Sequence, residues 1–197
     1  MLLLKQLLRI RKKGIDLTRV DAVNAVSRRM EQERLTCEEV MSLLREIEHR
    51  PAKISRLGLT AAVAMSSFGW AAMFGGGLMD CTIAFLVALL GQGLAFALDK
   101  AGMRSFVSTL LGSFLGTILP MLFHLATGLL MVEQTVAACL MPMLPGLAMT
   151  NAVQDTLRGD MVSGISSATS ALLTASMIAG GALVGTALFR LLTGGVL

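Results

Sequence analysis

The residues best placed to do chemistry are Met141-Pro142-Met143-Leu144-Pro145-Gly146, with Thr150, Asn151 and Asp155 behind them, because they interrupt a run apolar enough for a membrane. A proline lacks the backbone donor and its ring clashes with the preceding turn, so two of them three residues apart free several carbonyls and amides. Hydrocarbon cannot satisfy such groups; protein, water or a bound solute must. Secondary transporters build solute sites near the bilayer midplane in this way, with half-helix ends facing the solute. Asn151 and Asp155 are four residues apart, on one face of a helix that would begin near Gly146, and Thr150 is adjacent. The N-terminal end of that helix, with free N–H groups and a positive partial charge, suits a carboxylate, and Asp155 or Asn151 suits an ammonium or hydroxyl. The other reading makes Asp155, Arg158 and Asp160 an ordinary interfacial loop after a fourth span, and spacing alone leaves both open.

His124 lies deep in another apolar run, close to Pro120. A titratable group there is a candidate for proton coupling, because its charged form is costly in lipid and its titration range is physiological. A neutral imidazole bonded to a carbonyl freed by Pro120 explains it equally. Asp80 and Glu133 fall at the ends of apolar runs, where solvation is expected. Enzyme signatures are missing: there is no G-x-S-x-G, no H-E-x-x-H and no phosphate loop with lysine, and the carboxylates are too few and dispersed for an acid and base pair. The chain is therefore not expected to be an enzyme or to hold a cofactor. Cys37, Cys81 and Cys139 have no C-x-x-C spacing and share the chain with two histidines, so neither a disulfide frame nor a metal site is indicated. They are expected to be small apolar fillers.

The elements that position these groups follow from composition. With 54% hydrophobic residues and a mean hydropathy of +0.72, the chain belongs to the polytopic membrane class. Of its 17 lysines and arginines, 13 precede Leu57, interleaved with eight acids. Such a cluster beside a first span sets orientation and touches lipid headgroups, so the expected partner is the lipid bilayer and not nucleic acid. Met1-Leu2-Leu3-Leu4-Lys5 is too short an apolar run for a signal peptide, and the first span is expected to direct insertion.

Residues 1–56 read as a cytoplasmic helical segment and 57–197 as a transmembrane helical domain. Asp16 is a candidate cap for a helix with Leu17, Val20, Val23 or Asn24, and Ser27 along one side. Thr36-Cys37-Glu38-Glu39 fits a capping box, Val40, Leu43, Leu44 and Ile47 recur at helical spacing, and Pro51 stops that helix after Arg50. Leu57–Phe74 is uncharged over 18 residues, a first span with Trp70 as an interface anchor. Gly75-Gly76-Gly77 is a short turn, Cys81–Leu98 a second uncharged run, and Phe106–Val132 a third, long enough to require tilt or a kink at Pro120. The broken segment Thr135–Val153 and the small-residue run Met161–Phe189 follow. Gly112-x-x-x-Gly116 and Gly181-x-x-x-Gly185 have the spacing of close helix contacts. The expected fold is all-α: a polytopic membrane helical bundle of about five spans with a short N-terminal cytoplasmic segment. Loop charges put residues 1–56 and 99–105 inside and 75–80 and Glu133 outside.

Met141-Pro142-x-x-Pro145-Gly146-x-x-x-Thr150-Asn151-x-x-x-Asp155, with Gly159-Asp160 and Ser163-Gly164 after it, resembles the signature of the threonine/serine exporter (ThrE) family. Thr36 to Pro51, with Leu44-x-Glu46-Ile47-Glu48-x-Arg50-Pro51, is similar to the stretch before that family's first membrane helix. The resemblance implies an inner-membrane transporter that exports a small amino acid, threonine or serine, or a dicarboxylate such as succinate. It also implies, for the YjjP-like type with only the larger membrane half, a second small membrane subunit as partner. By motif position it implies Pro142, Pro145, Gly146, Thr150, Asn151, Asp155 and Asp160 as substrate-binding residues. Gln154 stands where many relatives of this type would carry a basic residue, and the chain is expected to start later than they do. Proton coupling is the expected energy source. The alternative, from another class, is a non-transporting membrane scaffold that assembles other proteins through its small-residue faces.

Overall fold

The computed structural model describes residues 17–33, 35–49, 55–103 and 105–194, and over these every regular element is helical. The chain divides into two compact units, Met1–Ser55 and Arg56–Leu197.

The first unit is a helical hairpin of α1 (Leu17–Gln32) and α2 (Cys37–His49). The expected capping box forms: the Thr36 N–H and hydroxyl donate to Glu39 Oε2 at 2.8 and 2.9 Å, and the Glu39 N–H approaches Thr36 Oγ1 at 3.4 Å. Those two donors hold the Glu39 carboxyl below its ordinary value. On α2 the anticipated stripe turns inward, with Ile47 buried and Val40, Leu43 and Leu44 half-buried. On α1 the register differs. Val26 is the buried side chain, whereas Val20 and Val23 are 47% and 42% exposed, because so few apolar residues leave α1 without a continuous stripe to impose the expected face. Asp16, Arg50 and Pro51 lie outside the described residues.

The second unit holds α3 (Arg56–Met73), α4 (Leu78–Lys100), α5 (Ser105–Thr127), α6 (Val132–Leu140), a 3-10 turn (Met141–Met143), α7 (Gly146–Leu157) and α8 (Met161–Thr193). Helices α4, α5 and α8 are long and apolar enough to cross a membrane, and α6 with its turn and α7 make a fourth crossing if that bent pair is one span. The expected first span forms as α3 but is not among them, since it opens on Arg56 and carries Ser66, Ser67 and Gly69 within 18 residues. The number of about five spans is thus approximate. The 33 residues of α8 extend about 50 Å, well beyond a hydrocarbon core of about 30 Å.

Turn chemistry sets where the helices stop. Gly75 takes φ +80°, and a side chain on Gly76 would sit 2.9 Å from both the Ala71 carbonyl oxygen and Asp80 Cβ, so the glycine turn fits a space no larger residue could occupy. The helix of the third apolar run, Phe106–Val132, ends before the run does. Gly128 at φ +67° donates its N–H to the His124 carbonyl at 2.7 Å and ends α5, so residues 129–132 begin a new segment. Pro120 stays inside α5, almost fully buried.

Packing follows side-chain size. Ala71, Cys81, Ile83, Ala84, Val87, Leu130, Ala138 and Cys139 form a buried cluster of α3, α4, α6 and the connection before α6, against which Phe68, Leu119 and Phe123 pack. Trp70, expected at an interface, joins that cluster and stacks on Phe74 with ring centroids 5.7 Å apart. Both glycine pairs make the close approaches their spacing suggested. A Cβ on Gly181 would meet Ser113 Oγ and the Leu110 carbonyl of α5, and one on Gly185 would lie 3.2 Å from the Phe114 carbonyl. On the other side of α5, Gly112 and Gly116 face Met143 and Cys139. Cys81 and Cys139 are buried fillers; Cys37 is exposed.

Candidate functional site

The proline-rich stretch breaks the helix as its sequence requires. Pro142 sits in the first turn of the 3-10 segment, where a missing donor costs nothing, and Leu144 is extended, with ψ 135°, the conformation that a following proline favours. The axis turns by 53° between the two halves. Some freed groups are recovered locally: the Leu144 N–H donates to the Met141 carbonyl at 3.2 Å and the Gly146 N–H to the Leu144 carbonyl at 2.9 Å.

Beside this break lies a cavity of about 270 Å³, walled by α3, α4, α5, α6 and the 3-10 turn. Pro142, Met143 and Cys139 form one wall, and Gly112 and Gly116 let that wall lie close to α5. The polar lining is Gln92 from α4 with Ser105, Ser108 and Thr109 from α5. Ser108 and Thr109 donate to the Ser105 carbonyl at 2.8 and 3.1 Å, which leaves their oxygen lone pairs free to accept. Gln92 is half-buried, and its carboxamide has no partner among the described residues. An amide in that position offers two donors and an acceptor to whatever enters. These polar groups lie toward the end of the bundle marked by Arg56 and Lys100, where the Arg56 guanidinium stands 5.6 Å from the Phe96 ring centroid.

The residues singled out from sequence are not all brought together. Pro142 lines the cavity; Pro145, Gly146, Thr150, Asn151, Asp155 and Asp160 do not. Pro145 caps α7 and Gly146 begins it. Thr150 is exposed, its hydroxyl bonded to the Gly146 carbonyl at 3.0 Å. Asn151 and Asp155 do share a face of α7 and are half-buried, with no side-chain partner among the described residues. Asp160 is exposed and caps α8, accepting from the Ser163 N–H at 3.1 Å and hydroxyl at 2.8 Å. Those bonds lower its pKa. A lowered carboxyl stabilises the fold above its unfolded-state value and loses that contribution as pH falls through the folded one. The wild-type melting midpoint should therefore drop across the acid end of a pH series relative to Asp160→Asn, which lacks this contribution; parallel curves would rule out the cap's role.

His124 is half-buried, and its Nδ1 is enclosed without a hydrogen-bond partner among the described residues. It is outside the cavity lining. Asp80, expected to be solvated, is only 3% exposed, because the head of α6 folds over it. Glu133 is exposed. Sequence reasoning passed over Gln92, although a single amide inside the uncharged run 81–98 was a visible signal: an unpaired carboxamide is costly in lipid unless it lines a wet space.

Comparisons with known proteins agree with this architecture. The family model ThrE, described as "Putative threonine/serine exporter", matches residues 3–189. A protein of Mycobacterium tuberculosis named "Probable threonine/serine exporter" is 23% identical over 174 residues, covering 87% of this chain and 32% of that protein. The chain thus spans about a third of the length of that curated relative. No solved structure matches it. With a family match running through α8 and apolar helices built for a membrane, the chain belongs to the threonine/serine exporter family.

Proposed function

We propose that this chain is the larger membrane half of an inner-membrane exporter for a small amino acid of the threonine or serine kind. The single observation that carries the reading is the cavity against the broken helix, lined by the unpartnered Gln92 amide and three hydroxyl-bearing residues. Its 270 Å³ is at the small end of ligand sites, suited to a solute of few atoms, and its lining matches a molecule that carries its own hydroxyl. The relative's name supports the amino acid; a dicarboxylate such as succinate is the second solute class to be assayed. In this reading the N-terminal segment is cytoplasmic, a second small membrane subunit completes the exporter, and the proton gradient drives it, with His124 as the coupling candidate. The solute loads from the end bearing Arg56 and Lys100, and the bundle rocks about the 53° break.

Asn151 and Asp155 lie on α7 just past the break, on its side away from Asp80, where polar ends with no side-chain partner among the described residues suit a solute entering the cavity. Efflux from vesicles containing this chain and its small partner tests the assignment. Asp155→Asn or Asn151→Ala should abolish efflux of labelled threonine while insertion is unchanged; wild-type rates in both would remove α7 from the route. Failure of the wild-type pair to export any threonine, serine or succinate would overturn the function itself.

A further inference from the structure

Asp80 is a buried carboxylate held between two separate segments. Its Oδ2 accepts from the Gly77 N–H at 2.8 Å in the glycine turn; its Oδ1 accepts from the Met131 N–H at 2.8 Å and the Thr135 hydroxyl at 2.7 Å at the head of α6. No lysine or arginine occurs in residues 57–99 or 105–157, so the charge is met here by neutral donors rather than by a cation of these segments. Hydrogen bonds to a buried charge are the strong kind, and a group that loses them inside a protein is left with a large desolvation cost. The junction of the turn with α6 is therefore either made or broken, with little in between.

The other end of the same element is the cavity wall. Helix α6 is nine residues long, about 13 Å, and it runs from this junction to Cys139 and the Pro142–Met143 turn. At the wall its neighbours on α5 are glycines: Met143 Cε would lie 2.8 Å from a Cβ on Gly112, and Cys139 Cβ 3.4 Å from one on Gly116. These glycines present no side chain to Met143 and Cys139, while the carboxylate pins the helix head. Between the two ends, Val87, which lines the cavity, is buried with Ala84 and Ala138 in an apolar plug, Ala84 lying along α4 between the cavity lining and Asp80.

We propose that Asp80 is the latch of a gate that closes the cavity at the end of the bundle away from Lys100, and that its bonds to Met131 and Thr135 break when that gate opens. The proposal rests on the cavity being the export route. With the latch made, α6 seals the apolar plug and the cavity is reached from the Lys100 end. With it broken, α6 swings on the glycine track and the plug parts.

Labelling tests this without any solute, so it separates failure of the latch from failure of the transport reading. The full chain, co-produced with its small partner, carries Thr109→Cys as its single thiol, with Cys37→Ser, Cys81→Ala and Cys139→Ala. A membrane-impermeant maleimide is applied to right-side-out and inverted vesicles. With Asp80 intact, labelling is expected from the Lys100 side alone. With Asp80→Asn, labelling from the opposite side should rise about tenfold or more, the loss of a charge-assisted bond, while the rate from the Lys100 side is unchanged. Thr135→Val should give a smaller rise from that side and Thr135→Ser should restore the intact pattern, which keeps the test available if Asp80→Asn does not accumulate. One-sided labelling in both Asp80→Asn and Thr135→Val, or an equal rise on both sides from general loosening, would overturn the latch.

Discussion

Gly181→Leu is expected to prevent the second unit from folding, so that the protein fails to accumulate in membranes. At this position α8 touches α5 backbone to backbone: an added Cβ would meet the Leu110 carbonyl and Ser113 Oγ and lie 3.0 Å from the Phe114 amide. Backbone atoms cannot rotate aside, so even Gly181→Ala must push two helices apart over the length of their contact. Overpacking of a tight core costs about 1–3 kcal/mol, and a leucine adds three more heavy atoms to the same gap. The separation would also lengthen the bond from Ser113 Oγ to the Met177 carbonyl, now 3.4 Å. Gly180 supplies the control, since a Cβ there has nothing within 4 Å. Gly180→Ala should fold normally and gain up to about 1 kcal/mol of helix propensity. Thermal melting of the detergent-solubilised protein checks both; a Gly181→Ala midpoint equal to wild type would show that the α5–α8 contact is looser than described.

Gln92→Leu combined with Thr109→Val is expected to lower export at least tenfold at normal protein levels. Both positions line the cavity and neither is needed by the fold: the Gln92 amide has no partner among the described residues to lose, and Thr109 gives up only an intrahelical bond to Ser105. Each substitution replaces a polar group by an apolar one of similar size. If a solute's charged ends bond to these groups, each lost bond is worth about 1.5–3 kcal/mol, and 1.4 kcal/mol is a factor of ten. The fold should be untouched, because the Gln92 amide has no hydrogen bond to the described residues to lose. Efflux equal to wild type with both changes present would show that the solute does not pass this lining. Read beside Asp155→Asn, the result also separates a route through the cavity from one confined to α7.

Much of the architecture was legible in the residues. Thr36 and Glu39 announce a capping box by type and spacing alone, and Pro142 with Pro145 signal a break because two donors are lost within one turn, whereas the single Pro120 is kept inside α5. Gly112, Gly116, Gly181 and Gly185 likewise form the close approaches their spacing allows. The site was less legible. Pro142 is in the cavity wall, but Asn151, Asp155 and Asp160 stand apart from it, and Asp160 is engaged as the cap of α8. The signature groups residues adjacent along the chain, whereas the cavity groups residues adjacent in space.

From sequence alone came the helical class, the membrane character, the break after Leu140 and the two glycine contacts. These follow from short-range rules: hydropathy, donor loss at proline and the bulk of a side chain act within a few residues of where they are written. Only the tertiary structure decided that Gln92 and Thr109 share a cavity with Pro142, that α5 ends at Gly128, and that Asp80 is buried. Asp80 shows why. Its fate depends on donors 51 and 55 residues away, and whether a carboxylate meets water or amides is settled by which helix end packs over it, a choice made by the whole bundle rather than by its neighbours in the chain.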